Sequence, residues 1–198
     1  SDNLSLNNAG SILKLDGIAK IEKVSVTEDL SSGFIDVNQN AVITTLSQPK
    51  SSRFDVSDGM SLTLTDNSEI LSDQMMEFFG DGNGTFNITN NLTVSGTLKM
   101  NAEDNVLDSG KLIFNDGILD LDKDATISSK ISLSDNASLD LASGKQLIVT
   151  NEFEIPQNLK MEMVGSGGGT LSLTVSMNVT GELEFSSADY TLKNGKVI

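Results

Sequence analysis

Leu92-Thr-Val94, Leu98-Lys-Met100, Leu112-Ile-Phe114, Leu119-Asp-Leu121, Ala125-Thr-Ile127, Ile131-Ser-Leu133, Leu139-Asp-Leu141 and Leu147-Ile-Val149 follow one another through the stretch Asn91–Val149. Each triplet turns two apolar side chains to one face and its middle residue to the other. That is the period-two pattern of a short β-strand. Ser95-Gly96, Asn115-Asp116-Gly117, Ser134-Asp135-Asn136 and Ser143-Gly144 punctuate the run as turns.

A longer period lies above the short one. Leu92, Leu112, Ile131 and Phe153 are spaced by about twenty residues, as are Leu98, Leu119, Leu139 and Met161, and Ala125, Leu147 and Leu171. Three strands recurring in the same order at that spacing specify a solenoid of three-strand coils. The expected fold is an all-β, single-stranded parallel β-helix in one domain covering 1–198. Residues 1–53 are read as irregular N-terminal or capping coils, and 54–198 as regular coils.

Composition agrees. Only 37% of the 198 residues are hydrophobic and 5% aromatic, which suits a thin core wrapped in turns. The formal net charge of −15 repels phosphate backbones and anionic lipid, so nucleic acid and membrane insertion are not expected. The chain has no cysteine, hence no disulfide framework. No apolar run is long enough for a membrane-crossing helix. No signal peptide is visible at Ser1, and the pattern begins and ends mid-repeat. A mature product, or a segment of something longer, is the expectation.

Along the chain, Leu4-Ser-Leu6, Leu13-Lys-Leu15, Val24-Ser-Val26 and Ile35-Asp-Val37 keep the strand pattern at looser spacing. Gln48-Pro49-Lys50-Ser51-Ser52 reads as a surface loop, Asp81-Gly-Asn-Gly84 as a flexible turn, and Gly165-Ser-Gly-Gly-Gly169 as a glycine turn. Asn67–Gly80 fits either a short helix carrying Ile70, Leu71, Met75, Phe78 and Phe79 or two further strands. The distance from Leu62 to Phe86, one long coil, favours strands.

Candidate chemistry is sparse. There is no histidine, and Arg53 is the sole arginine. Lys99 and Asp120, at matching outward positions of adjacent coils, are the nearest approach to a lyase-like base beside a carboxylate. Asp120, Asp140, Glu162 and Glu184 form the sharper pattern, one outward carboxylate per coil. In perfect register they would lie about 5 Å apart and repel by about 3 kcal/mol at an effective dielectric near 20, unless water screens them or a cation such as Ca²⁺ bridges them. Asp120-Leu-Asp-Lys-Asp124 has carboxylates at calcium-loop spacing but lacks the glycine. Asn115, Asn136 and Asn158 occupy equivalent turns and predict a stacked amide ladder. The sequons at Asn3, Asn83, Asn87, Asn91, Asn136 and Asn178 follow from an Asn- and Thr-rich composition. No Thr-x-Thr array emerges on the outward rows Thr93, Ile113, Ser132, Glu154 or Lys99, Asp120, Asp140, Glu162, so ice binding is not expected.

The units Asp116-Gly-Ile-Leu-Asp-Leu-Asp-Lys-Asp-Ala-Thr-Ile127 and Asn136-Ala-Ser-Leu-Asp-Leu-Ala-Ser-Gly-Lys145 resemble the Gly-x-Leu-x-Leu and Ala-x-Leu-x-Leu repeats of bacterial secreted β-helix proteins. These include autotransporter passengers and filamentous-haemagglutinin-like adhesins. The resemblance covers about residues 54–195 and is generic to the architecture. It implies an extracellular or cell-surface protein with an adhesive or filament-building role and no enzymatic activity. The implied partners are neighbouring coils, further copies, or a surface glycan or host ligand. The alternative is a carbohydrate-binding or carbohydrate-active β-helix with an acidic, calcium-dependent surface. Outward aromatics beside carboxylates would favour that alternative, and few are evident in the pattern.

Overall fold

The computed structural model describes residues 3–47, 50–80, 83–108, 110–165, 167–186 and 189–198. Gln48-Pro49, the first half of the Asp81–Gly84 turn and Ser166 of the glycine turn lie outside the described residues. Twenty-five strands and no helix occur among those described. They form three parallel sheets: sheet A, ten strands from Asn3–Leu6 to Thr191–Lys193; sheet B, nine from Ile12–Leu15 to Glu182–Phe185; and sheet C, six from Ser68–Ile70 to Met177–Val179. Within each sheet every neighbour is the equivalent strand of the next coil, which makes a β-solenoid. The chain advances by 20 residues at Leu4↔Val24 and by 24 at Leu147↔Leu171. Ten strands at about 4.8 Å give a stack of about 43 Å.

The side-chain period explains the core. Leu92, Leu112, Ile131 and Phe153 stack in one column and Ala125, Leu147 and Leu171 in another. One buried cluster runs from Leu6 to Met177. Inside it Phe54 stacks on Phe78 at 5.4 Å and Phe78 lies 4.5 Å from Phe86. The ambiguous Asn67–Gly80 segment is two strands, Ser68–Ile70 and Met75–Gly80, because each has a waiting partner in the coil above.

Two features depart from the regular expectation. The first concerns residues 3–56. These carry stacked, in-register strands, but on two sides only: Asn3–Leu6, Ala19–Val26 and Ala41–Ser47 in sheet A, and Ile12–Leu15, Phe34–Val37 and Ser52–Val56 in sheet B. Sheet C begins at Ser68. In its absence the loop between Val26 and Phe34 drops a buried Leu30 into the core, held by its N–H on the Ser51 carbonyl at 3.1 Å.

The second is a change of register. Leu98, Leu119 and Leu139 stack as expected, but Met161 sits opposite Ala137, and Met163 lies opposite Leu139. The turn from sheet C to sheet B spans 95–96 and then 115–117 and 134–136 in successive coils, but 156–159 in the next. The chain steps by 22 residues in sheet C at Ile131↔Phe153 but by 24 in sheet B at Leu139↔Met163, so the strand after this turn is delayed by two residues. A two-residue slip preserves which side chains face inward, so the core tolerates it.

That corner is tight. At Gly117 an added Cβ would lie 2.1 Å from the Val94 carbonyl oxygen of the coil below, and at Gly96 it would lie 2.1 Å from the Leu71 oxygen. Glycine is required there because the coil crosses backbone on backbone. Gly117→Ala should therefore lower unfolding free energy by about 1–3 kcal/mol, the usual scale for overpacking, as measured by urea titration with circular dichroism.

Candidate functional site on the charged face

The outward face of sheet B gathers most of the charged side chains of the solenoid walls. Register places Lys14 opposite Asp36 and Asp36 opposite Asp55. In the neighbouring row Arg53 faces Glu77, Glu77 faces Lys99, Lys99 faces Asp120, and Asp120 faces Asp140. Salt bridges close along these rows: Lys14–Asp36 at 3.7 Å, Arg53–Glu77 at 2.7 Å and Lys99–Asp120 at 3.1 Å.

The proposed carboxylate ladder is interrupted. Asp120 and Asp140 are in register, and Glu162 and Glu184 are in register, but Asp140 lies opposite Val164 while Glu162 lies opposite Ser138. The slip introduced by the 156–159 turn is the cause. Each half also holds a lysine. Lys99 Nζ bridges Asp120 at 3.1 Å and Asp122 at 2.7 Å; Lys160 Nζ lies 2.8 Å from Glu184 and 3.7 Å from Glu162. Asp124 accepts the Gln146 N–H at 2.8 Å instead of turning toward Asp120 and Asp122. No group of three potential metal ligands converges among the described residues.

Electrostatics follow from this packing. Partial burial alone would lower the Lys99 pKa, but hydrogen bonds to Asp122 and Asp120 outweigh it and the pKa is raised. An ammonium so held opposes use as a proton acceptor. Asp140 is pushed up, first by desolvation and then by the charges of Asp120 and Asp122.

The asparagine turns do not form the expected amide ladder. Asn115 donates to Ser95 Oγ at 3.0 Å and accepts from Ser134 Oγ, while Asn136 Oδ1 accepts the Lys160 N–H at 2.8 Å. Serine has replaced asparagine as the neighbour on both sides of Asn115.

A second cluster escaped the sequence pattern. Phe34 and Phe79 both point outward on sheet B, each beside an inward residue, Ile35 or Phe78. Their rings meet edge-on at 5.2 Å and 87°. The Arg53 guanidinium lies over Phe79, 4.2 Å from the ring centre, with its Nε on Glu77. Asn101 donates to the other Glu77 oxygen at 3.0 Å. Adjacent apolar pairs such as Phe34-Ile35 and Phe78-Phe79 conceal which member faces out, so only register reveals the cluster.

Comparison with protein-family models, with curated proteins and with solved structures finds no match for this chain.

Two expectations follow. Because Lys99 and Lys160 already stand among these carboxylates, millimolar Ca²⁺ should leave the melting temperature of the parent unchanged and raise that of Lys99→Gln, as followed by scanning calorimetry. The raised Asp140 pKa means that the folded chain holds this proton more tightly than the unfolded chain. Stability thus falls as pH rises from the ordinary 3.8 through the folded value. Asp140→Asn should melt higher than the parent at pH 7 and at the same temperature near about pH 2.5, where both states of the parent are protonated.

Proposed function

We propose that this chain is a non-enzymatic structural and adhesive β-solenoid of a bacterial surface or secreted protein. In this reading it acts as a rod whose walls present binding chemistry and whose partners are neighbouring coils, further copies or a surface ligand. One observation carries the proposal. Ion pairs on the walls and at the corners join one coil to another: Lys14–Asp36, Arg53–Glu77, Lys99–Asp120, Lys123–Glu103, Lys130–Glu152 and Lys160–Glu184. Charges are distributed along the stack as stitches, whereas catalysis gathers them at one point. Exposed pairs of this kind contribute about 0–1 kcal/mol each, so their use is alignment more than stability.

Carbohydrate binding is the second reading, and a specific observation favours it. Phe34 and Phe79 stand outward beside Asp36, Asp55 and Glu77.

Light scattering across concentration, together with incubation on acidic and neutral polysaccharides, tests the proposal. The expected result is an elongated particle that associates as concentration rises and releases no reducing or unsaturated ends. Turnover abolished by Lys99→Gln or Glu77→Gln would overturn it.

A further inference from the structure

Repetition makes departures conspicuous, and the largest is where the two-sided coils give way to three-sided ones. Beside Arg53 a groove of about 400 Å³ opens between the loop at Asp29–Ser31 and the starts of Ser52–Val56 and Met75–Gly80. Its rim is fixed by a chain of hydrogen bonds. Asp29 Oδ1 accepts the Ser51 N–H at 2.8 Å; Ser51 Oγ accepts the Met75 N–H at 3.1 Å and donates to Gln74 Oε1 at 3.3 Å. Met75 supplies apolar lining. Arg53 is held on its Nε edge by Glu77 and on its face by Phe79. With Nε committed to Glu77 and the guanidinium held over Phe79, the two Nη groups are the donors left for a ligand. Past Arg53 the same face continues as an apolar apron of Phe34 and the half-exposed Ile12 opposite it.

The chemistry narrows the ligand. Two carboxylates, Asp29 and Glu77, stand against one guanidinium, so an anion is disfavoured. Ser52–Val56 is paired to Phe34–Val37 on one side and Met75–Gly80 on the other, and Met75–Gly80 is likewise paired on both. Neither strand at the groove therefore offers an open edge to an added peptide strand. What fits is a neutral molecule with adjacent hydroxyls that both donate and accept and with a C–H face for apolar contact. A parallel pair of N–H donors and a carboxylate acceptor match a vicinal diol. The volume suits one sugar ring.

We propose that the groove at Arg53 binds a neutral pyranose residue of a glycan, with Arg53 Nη and Asp29 on its hydroxyls and Met75 against its C–H face. This deepens the adhesive reading and rests on it. The test is saturation-transfer NMR on the full chain with methyl glucoside, galactoside and mannoside, and with methyl glucuronide as the anionic comparator. At least one neutral glycoside should take up saturation. Arg53→Gln should weaken that signal about tenfold, the scale of a lost hydrogen bond to a charged group. Ser31→Trp, at an exposed position on the rim, should abolish it while leaving the melting temperature intact, and Lys99→Gln should retain it. Silence from every neutral glycoside, preference for the glucuronide, or a signal indifferent to Ser31→Trp would overturn the assignment. Any of those results together with an intact, non-catalytic rod removes the groove alone, whereas polysaccharide turnover removes the underlying reading.

Discussion

Backbone pairing between equivalent strands of successive coils is the constraint on which the rest of this molecule depends. A single coil of some twenty residues cannot bury its inward side chains or satisfy the N–H and C=O groups that point along the axis. Stacking does both at once, and it does so at the corners as well as in the sheets. Asn115 N–H meets the Val94 carbonyl, Ser134 N–H the Phe114 carbonyl, and Thr180 N–H the Ile155 carbonyl. The pairing also dictates where glycine must stand, since chains that cross at Gly96 and Gly117 leave no room for a Cβ. Core, turns and walls are consequences of one vertical repeat.

The same repeat sorts the surface. The wall of sheet B is charged, whereas sheet A carries the row Ser61, Thr85, Val106, Thr126, Ile148 and Ser172, uncharged until it ends at Lys193. Since a column is built from one outward position per coil, a face acquires its character by repetition. Sequence inspection along two outward rows finds no threonine array because the hydroxyl-bearing and β-branched positions belong to the third wall. The charged wall in turn has lysines interposed among its carboxylates, a pattern visible only once Lys99 and Lys160 are seen bridging upward.

How much of this was legible beforehand depends on which interaction decided each feature. The strand triplets and the columns from Leu92 to Phe153 and from Ala125 to Leu171 were legible, because period-two burial leaves its mark on every triplet. The column through Leu98, Leu119 and Leu139 was legible as far as Leu139 and then misread. Met161 and Met163 are equally apolar, and nothing local says that the turn at 156–159 has absorbed two extra residues. The same ambiguity split the carboxylate ladder between Asp140 and Glu162. The two-sided geometry of residues 3–56 was illegible for another reason: a missing wall leaves no residue pattern, only a loop that happens to contain Leu30. Phe34 and Phe79 went unseen because neighbouring apolar residues do not announce which of them faces water.

The orientation of the inter-coil bonds has a mechanical consequence. They run along the axis of the rod, so a load applied to its two ends does not shear many of them together. It bears on the outermost rung, which opens before the next one feels the strain. Coil-spanning pairs such as Lys99–Asp120 and Arg53–Glu77 break with the rung they bridge. Under tension such a body behaves less like a stiff strut than like a reel, yielding slack in instalments of one coil and dissipating work with each.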